Sequence, residues 1–87
     1  MKQDRIALFE QGLARCRALL QQHSNSRALR SIEKQIEFLI DLEMGRTSEV
    51  NRLQEITIGV LTAREVEPLD EEVAELLYEV ASEARRM

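Results

Sequence analysis

Tryptophan is absent from this 87-residue chain, and Phe9, Phe38 and Tyr78 are its only aromatic residues. So few rings give nothing for nucleobases to stack on. The acidic balance, 16 Asp+Glu against 12 Lys+Arg for a formal charge of −4, repels phosphate backbones, so the sequence argues against a nucleic-acid partner. The single cysteine, Cys16, cannot form an internal disulfide, which fits a reducing cytoplasm. Gly12, Gly45 and Gly59 are isolated, so there is no glycine-rich phosphate loop. No apolar run approaches the ~20 residues that cross a bilayer. The opening MKQDRIALFEQ has acids where an export signal needs its apolar stretch, so the expected location is the cytoplasm, away from any membrane. Repeats and low-complexity tracts are also missing. What is present is 44% hydrophobic and 32% charged residues, the composition of one small helical domain spanning residues 1–87.

Periodicity divides the chain into four helical segments. In the first, residues 3–22, Ile6, Phe9, Leu13, Cys16 and Leu20 recur at steps of three and four and define one apolar stripe, weakened at Gly12. It ends at His23-Ser24-Asn25-Ser26. The second, residues 26–44, starts from side chains that can cap its free N–H groups, buries Leu29, Ile32, Ile36, Leu39 and Ile40, and stops at Gly45. The short connection makes these two an antiparallel hairpin. A third helix is expected from Thr47 or Ser48, with Val50, Leu53, Ile56, Val60 and Leu61 on its stripe. Residues 56–60 also alternate like a short strand, but no second strand exists to pair with it. Pro68 closes that element, and Asp70 caps a fourth carrying Val73, Leu76, Leu77, Val80 and Ala84. The expected fold is an all-α, compact bundle of about four helices, mainly antiparallel.

Charge is unevenly placed. Residues 1–46 carry eight bases and six acids, whereas residues 47–87 carry four bases and ten acids. Glu72, Glu75, Glu79 and Glu83 lie at helical steps on one face of the last segment, and Glu33-Glu37-Asp41 makes a shorter row on the second, offset by Arg30 and Lys34. A solvated face is the plain explanation of such rows. The sharper one is a surface that steers and orients a basic partner.

Catalytic chemistry has little to work with. His23 is the only histidine and has no nearby Asp or Glu to orient it as a base. Cys16 falls on an apolar stripe, where it packs as an inert small hydrophobe. One His and one Cys fall short of a transition-metal ligand set, and the carboxylates lie on exposed faces without an apolar pocket to separate their pKa values. Neither enzyme activity nor a bound cofactor is expected.

The stretches ALRSIEKQIEFLIDL and RLQEITIGVLTAREVEPLDEEVAELLYEV resemble the small helical immunity proteins of bacterial type VI secretion, in particular the cognate inhibitor of a secreted NAD(P)-hydrolysing toxin. The likeness covers residues 28–80. It rests on Ser31, Glu33, Lys34, Gln35 and Ile36, then Leu53, Thr57, Gly59, Glu65 and Asp70, with Ile56, Ile58 and Arg64 as conservative replacements. The resemblance implies a cytoplasmic, non-enzymatic protein that binds the toxin domain of an effector and covers its active site. It marks Glu33, Lys34, Gln35 and Glu65 as candidate contacts; the plain alternative is that Glu33 and Lys34 pair turn to turn along the helix while Gln35 and Glu65 cap or bridge within the fold. A toxin that binds a dinucleotide offers a basic cleft, which the acids Glu72, Glu75, Glu79 and Glu83, with Glu33 and Glu37, would suit. Two other classes compete: a helical antitoxin or adaptor that homodimerises through its apolar stripes, and a small ligand-binding bundle using Cys16 or His23.

Overall fold

Three long helices carry most of the chain in the computed structural model, which describes residues 2–87, with side chains from Arg5 onward. They are α1 (Lys2–Gln22), α2 (Arg27–Glu43) and, at the C-terminal end, α4 (Glu71–Ala84). Between α2 and α4 lie a 3-10 helix (Val50–Glu55), the short α3 (Ile58–Leu61) and a π turn (Thr62–Val66). The radius of gyration, 12.0 Å, equals the ~12 Å expected of a folded chain of this length.

Local chemistry sets the helix ends. Ser26 Oγ accepts from Leu29 N–H at 3.1 Å, capping α2. At its far end Gly45 adopts φ +79°, a conformation only glycine takes without strain. There Gly45 N–H bonds Leu42 C=O at 3.2 Å and Arg46 N–H bonds Asp41 C=O at 2.8 Å, the paired bonds of a Schellman stop. Asp70 Oδ1 accepts from Val73 N–H at 3.1 Å and caps α4. The opposing ends of α1 and α2 meet, since Arg5 reaches Glu43. Arg5 also reaches Glu83 near the end of α4. Both helices therefore run antiparallel to α1.

All five apolar residues expected on the second helix are buried; of the five expected on α4, Val73, Leu77, Val80 and Ala84 are buried and Leu76 is only partly covered. On α1 the stripe is rotated: Phe9, Gly12, Cys16 and Leu19 are the buried residues, and Ile6, Leu13 and Leu20 sit at its margin. The stripe is centred on a glycine, which a count of apolar side chains passes over.

The third segment departs furthest from expectation. A continuous helix from Thr47 or Ser48 does not form. Thr47 Oγ1 instead accepts from Glu49 N–H at 3.3 Å in a local turn, and the chain becomes extended at Ile56 (φ −70°, ψ 123°). The break has a visible cause. Gln35 of α2 takes Thr57 N–H on Oε1 at 2.7 Å and donates from Nε2 to Thr57 Oγ1 at 2.9 Å, so a side chain replaces the helical ladder at this point. Gln35 is thus a bridge inside the fold. The interruption resets the phase: Ile58, Thr62 and Val66 are buried, and Val50 and Val60 are exposed. Glu67 keeps helical dihedrals (φ −52°, ψ −43°) despite the following Pro68, because its N–H completes the π turn on Thr62 C=O at 2.9 Å.

Thr62 is fully buried, yet its hydroxyl has no hydrogen-bond partner among the described residues. An unsatisfied buried hydroxyl forfeits its hydration without return, and a same-shaped apolar group removes that cost. Thr62→Val is expected to stabilise the protein by about 1 kcal/mol. Urea unfolding would show a higher midpoint at an unchanged slope.

Candidate functional site

The charged rows foreseen on the helices differ in how far their charges are already spent. Arg17, on the outer side of α1, donates from Nε to Glu33 at 2.8 Å and from Nη2 to Glu37 at 2.6 Å. The two carboxylates raise the guanidinium's pKa, Glu33 most strongly. The third member of that row, Asp41, pairs with Arg46 at 3.1 Å. Glu83 is likewise engaged, by Arg5 at 3.1 Å and Arg86 at 3.2 Å. The acidic row of α2 is therefore largely neutralised within the chain, and Glu83 belongs to the end of the bundle.

Glu72, Glu75 and Glu79 are different. All three are exposed on the outer face of α4, opposite the buried Val73, Leu77, Val80 and Ala84. Among the described residues none of the three has a cation within ion-pairing distance. Nearby, Tyr78 donates its hydroxyl to Glu67 at 2.6 Å, which raises the phenol's pKa by favouring its protonated form. This flank of the molecule thus presents uncompensated negative charge on a rigid helix.

The remaining candidates lie elsewhere. Glu65 borders a shallow depression with His23, Arg27 and Arg64. Lys34 lines a groove of about 460 Å³ with Arg27, Arg30 and Arg52. The eight residues singled out from sequence therefore do not form one surface. What sequence reasoning missed was the cations: Arg17 and Arg5 as clamps on the acids, and Arg52 as a wall of the Lys34 groove. The spacing of Arg27, Arg30 and Lys34 was readable as one helix face. Arg52 could be placed beside them only by the break at Ile56–Thr57.

Cys16 is fully buried and its Sγ donates to Leu29 C=O at 3.3 Å. Burial, reinforced by Glu33, pushes the thiol up to about 12, so its reactive thiolate is scarce at neutral pH. No group of three or more His, Cys, Asp or Glu is placed to hold a metal among the described residues. No helix among them is long and apolar enough to cross a membrane.

Such a molecule is a small all-helical domain that presents charge on helix faces around an apolar core. The Tsi6 family model matches residues 4–86; the chain belongs to the Tsi6 family, immunity proteins of type VI secretion that bind cognate effectors. A solved structure of Tsi6 from Pseudomonas aeruginosa shares the fold, with a TM-score of 0.84 at 21% identity over 92% of this chain and 93% of that one. A search of curated proteins finds no match.

Proposed function

We propose that this protein neutralises the toxin domain of a cognate secreted effector by lying over its active site, and that the toxin hydrolyses NAD(P). It acts in the cytoplasm as a single domain, without catalysis of its own. One observation carries the choice of surface: Glu72, Glu75 and Glu79 form an acidic row that no described cation compensates, on a helix held rigid by its buried face. A cleft that accommodates a dinucleotide phosphate is electropositive, and such a row meets it with opposite charge, which speeds encounter and fixes orientation. Glu33, Glu37 and Glu83 contribute less, being held by Arg17, Arg5 and Arg86, and Glu65 and Lys34, which line separate depressions, lie outside this row. The competing homodimer through apolar stripes gains little support, because the stripes of the three long helices are largely consumed in the core.

The test is co-expression with the toxin domain encoded beside this protein, followed by NAD(P) hydrolysis with and without it. Glu75→Lys combined with Glu79→Lys leaves the fold intact, since both side chains are exposed. Reversal of the two charges is expected to slow association by about tenfold or more at low salt and to weaken protection. Unchanged affinity and full protection would reject the acidic face as the contact. A toxin that leaves NAD(P) intact would reject the assigned chemistry.

A further inference from the structure

The groove between α2 and the 3-10 helix contradicts the acidic character of the chain. Four of its nine lining side chains, Arg27, Arg30, Lys34 and Arg52, are cationic, and Glu55 is the one acid. In a protein with 16 acids and 12 Lys+Arg, bases have carboxylates to spare: Arg5 and Arg17 each hold two, and Arg46 and Arg86 one each. Arg27 and Lys34 have none among the described residues. Arg30 is spent only on the Ser24 carbonyl. Arg52 makes a long 3.4 Å contact with exposed Glu49 and rests with its guanidinium carbon 4.8 Å from the centre of the Phe38 ring. Like charges a turn apart on a helix repel, so the fold concentrates positive charge here at a cost and leaves most of it uncompensated among the described residues.

We propose that this groove receives an extended acidic segment of the effector polypeptide, a contact separate from the α4 face. Arg27, Arg30 and Lys34 occupy successive turns of α2, a row of about 10 Å with a pitch of ~5.4 Å. Alternate residues of an extended chain repeat every ~6.6 Å, close enough for carboxylates at every second position to meet the row in turn. Arg52 closes the opposite wall, where a guanidinium fork suits carboxylate geometry. Phe38 and Ile56 supply an apolar floor for the side chains between. A polynucleotide fits less well, because the chain as a whole is acidic, with 16 Asp+Glu against 12 Lys+Arg, and opposes a long phosphate backbone. An extended segment can continue from the toxin domain into this groove, which is built from elements other than α4. Only the source of the segment depends on the effector-binding role proposed above.

The groove is tested on the intact chain by following backbone amide signals in NMR during titration with a hexapeptide alternating glutamate and serine. The expected shifts are confined to Arg27, Arg30, Ser31, Lys34, Gln35 and Arg52. They should fall away with added salt and be absent with the lysine–serine counterpart. Arg30→Gln with Lys34→Gln should weaken peptide binding about tenfold or more, with the other signals unmoved. Shifts that are missing, spread over the surface, or reproduced by inorganic phosphate alone would overturn the peptide groove. Shifts that link the α4 glutamates to the groove as the protein alone is concentrated would assign it to a second copy instead. The same double variant should bind the adjacent-gene toxin protein, as full-length effector, about tenfold more weakly. Loss of peptide binding with effector affinity unchanged would overturn the effector as the source. Because the peptide arm contains no toxin, its result stands whatever becomes of the neutralisation assay.

Discussion

Arg5→Met is expected to cost about 3 kcal/mol of stability, toward the low end for breaking a buried ion pair because part of the Arg5 side chain remains in water. Arg5 ties three helices at one end of the bundle, with Nη1 3.1 Å from Glu43 and Nε 3.1 Å from Glu83. Both carboxylates hold the guanidinium in its charged form, Glu83 the more strongly. Glu43 decides the magnitude. Its side chain is only 6% exposed, and among the described residues its second oxygen, Oε2, lacks a partner and Arg5 is the one cation that pairs with it. Removing the cation strands a desolvated carboxylate, which is far worse than never having buried a pair there. The combination Arg5→Met with Glu43→Leu should therefore recover most of the loss. Chemical denaturation of the four-member mutant cycle would measure this coupling. A double variant no more stable than Arg5→Met alone would show that packing of the arginine stem, and not the stranded charge, sets the cost.

That clamp also marks the limit of what periodicity could show. The second helix was legible because its signals are local and agree: a serine cap, five apolar residues at regular steps and a glycine stop. The fourth was legible for the same reason, through Asp70 and its run of small and branched apolar residues. The middle of the chain was not. The interruption at Ile56–Thr57 depends on Gln35, 22 residues away, and no window of sequence contains both partners. Once the helix breaks there, Val60 leaves the stripe and Ile58 and Thr62 enter it, a change of phase that follows from one amide.

The candidate site divides in the same manner. Exposed acids at helical spacing can be read along a single helix, which is why the α4 row could be named residue by residue. Whether those acids are free is a tertiary question. Glu33 and Glu37 look as available as Glu75 and Glu79 until α1 brings Arg17 against them. Charge counted by segment thus places the acidity, and only the fold shows which part of it remains to meet a partner. The same holds for the groove: three of its cations are one helix face, but it becomes concave only when the 3-10 helix folds back with Arg52.

Gly12 offers the sharpest check on the packing itself. By helix propensity alone, replacing a mid-helix glycine should stabilise α1 by up to ~1 kcal/mol. Its position reverses that expectation. A Cβ at Gly12 would stand 2.9 Å from Val80 Cγ2 and 3.6 Å from side-chain carbons of Ile36 and Leu77, so α1 meets both α2 and α4 at the one residue without a side chain. Val80 cannot easily turn aside, because it is fully buried and β-branched side chains in helices keep one strongly preferred rotamer. Gly12→Ala should thus be destabilising overall, since overpacking typically costs ~1–3 kcal/mol against the propensity gain. Gly12→Val adds two methyl groups beyond the alanine Cβ against the same wall and loses much of the propensity benefit, and it is expected to cost about 3 kcal/mol or more. Val80→Ala costs stability alone by opening a cavity, yet combined with Gly12→Ala it vacates the space that the new methyl needs. The pair should show a favourable coupling of about 1 kcal/mol or more in thermal or urea unfolding. Strict additivity, or a Gly12→Ala variant more stable than the parent, would mean that the helices separate readily at this crossing. Because α1 backs both the α2 groove and the acidic α4 helix, such looseness would also undercut the rigid placement of charge on which both proposed contacts depend.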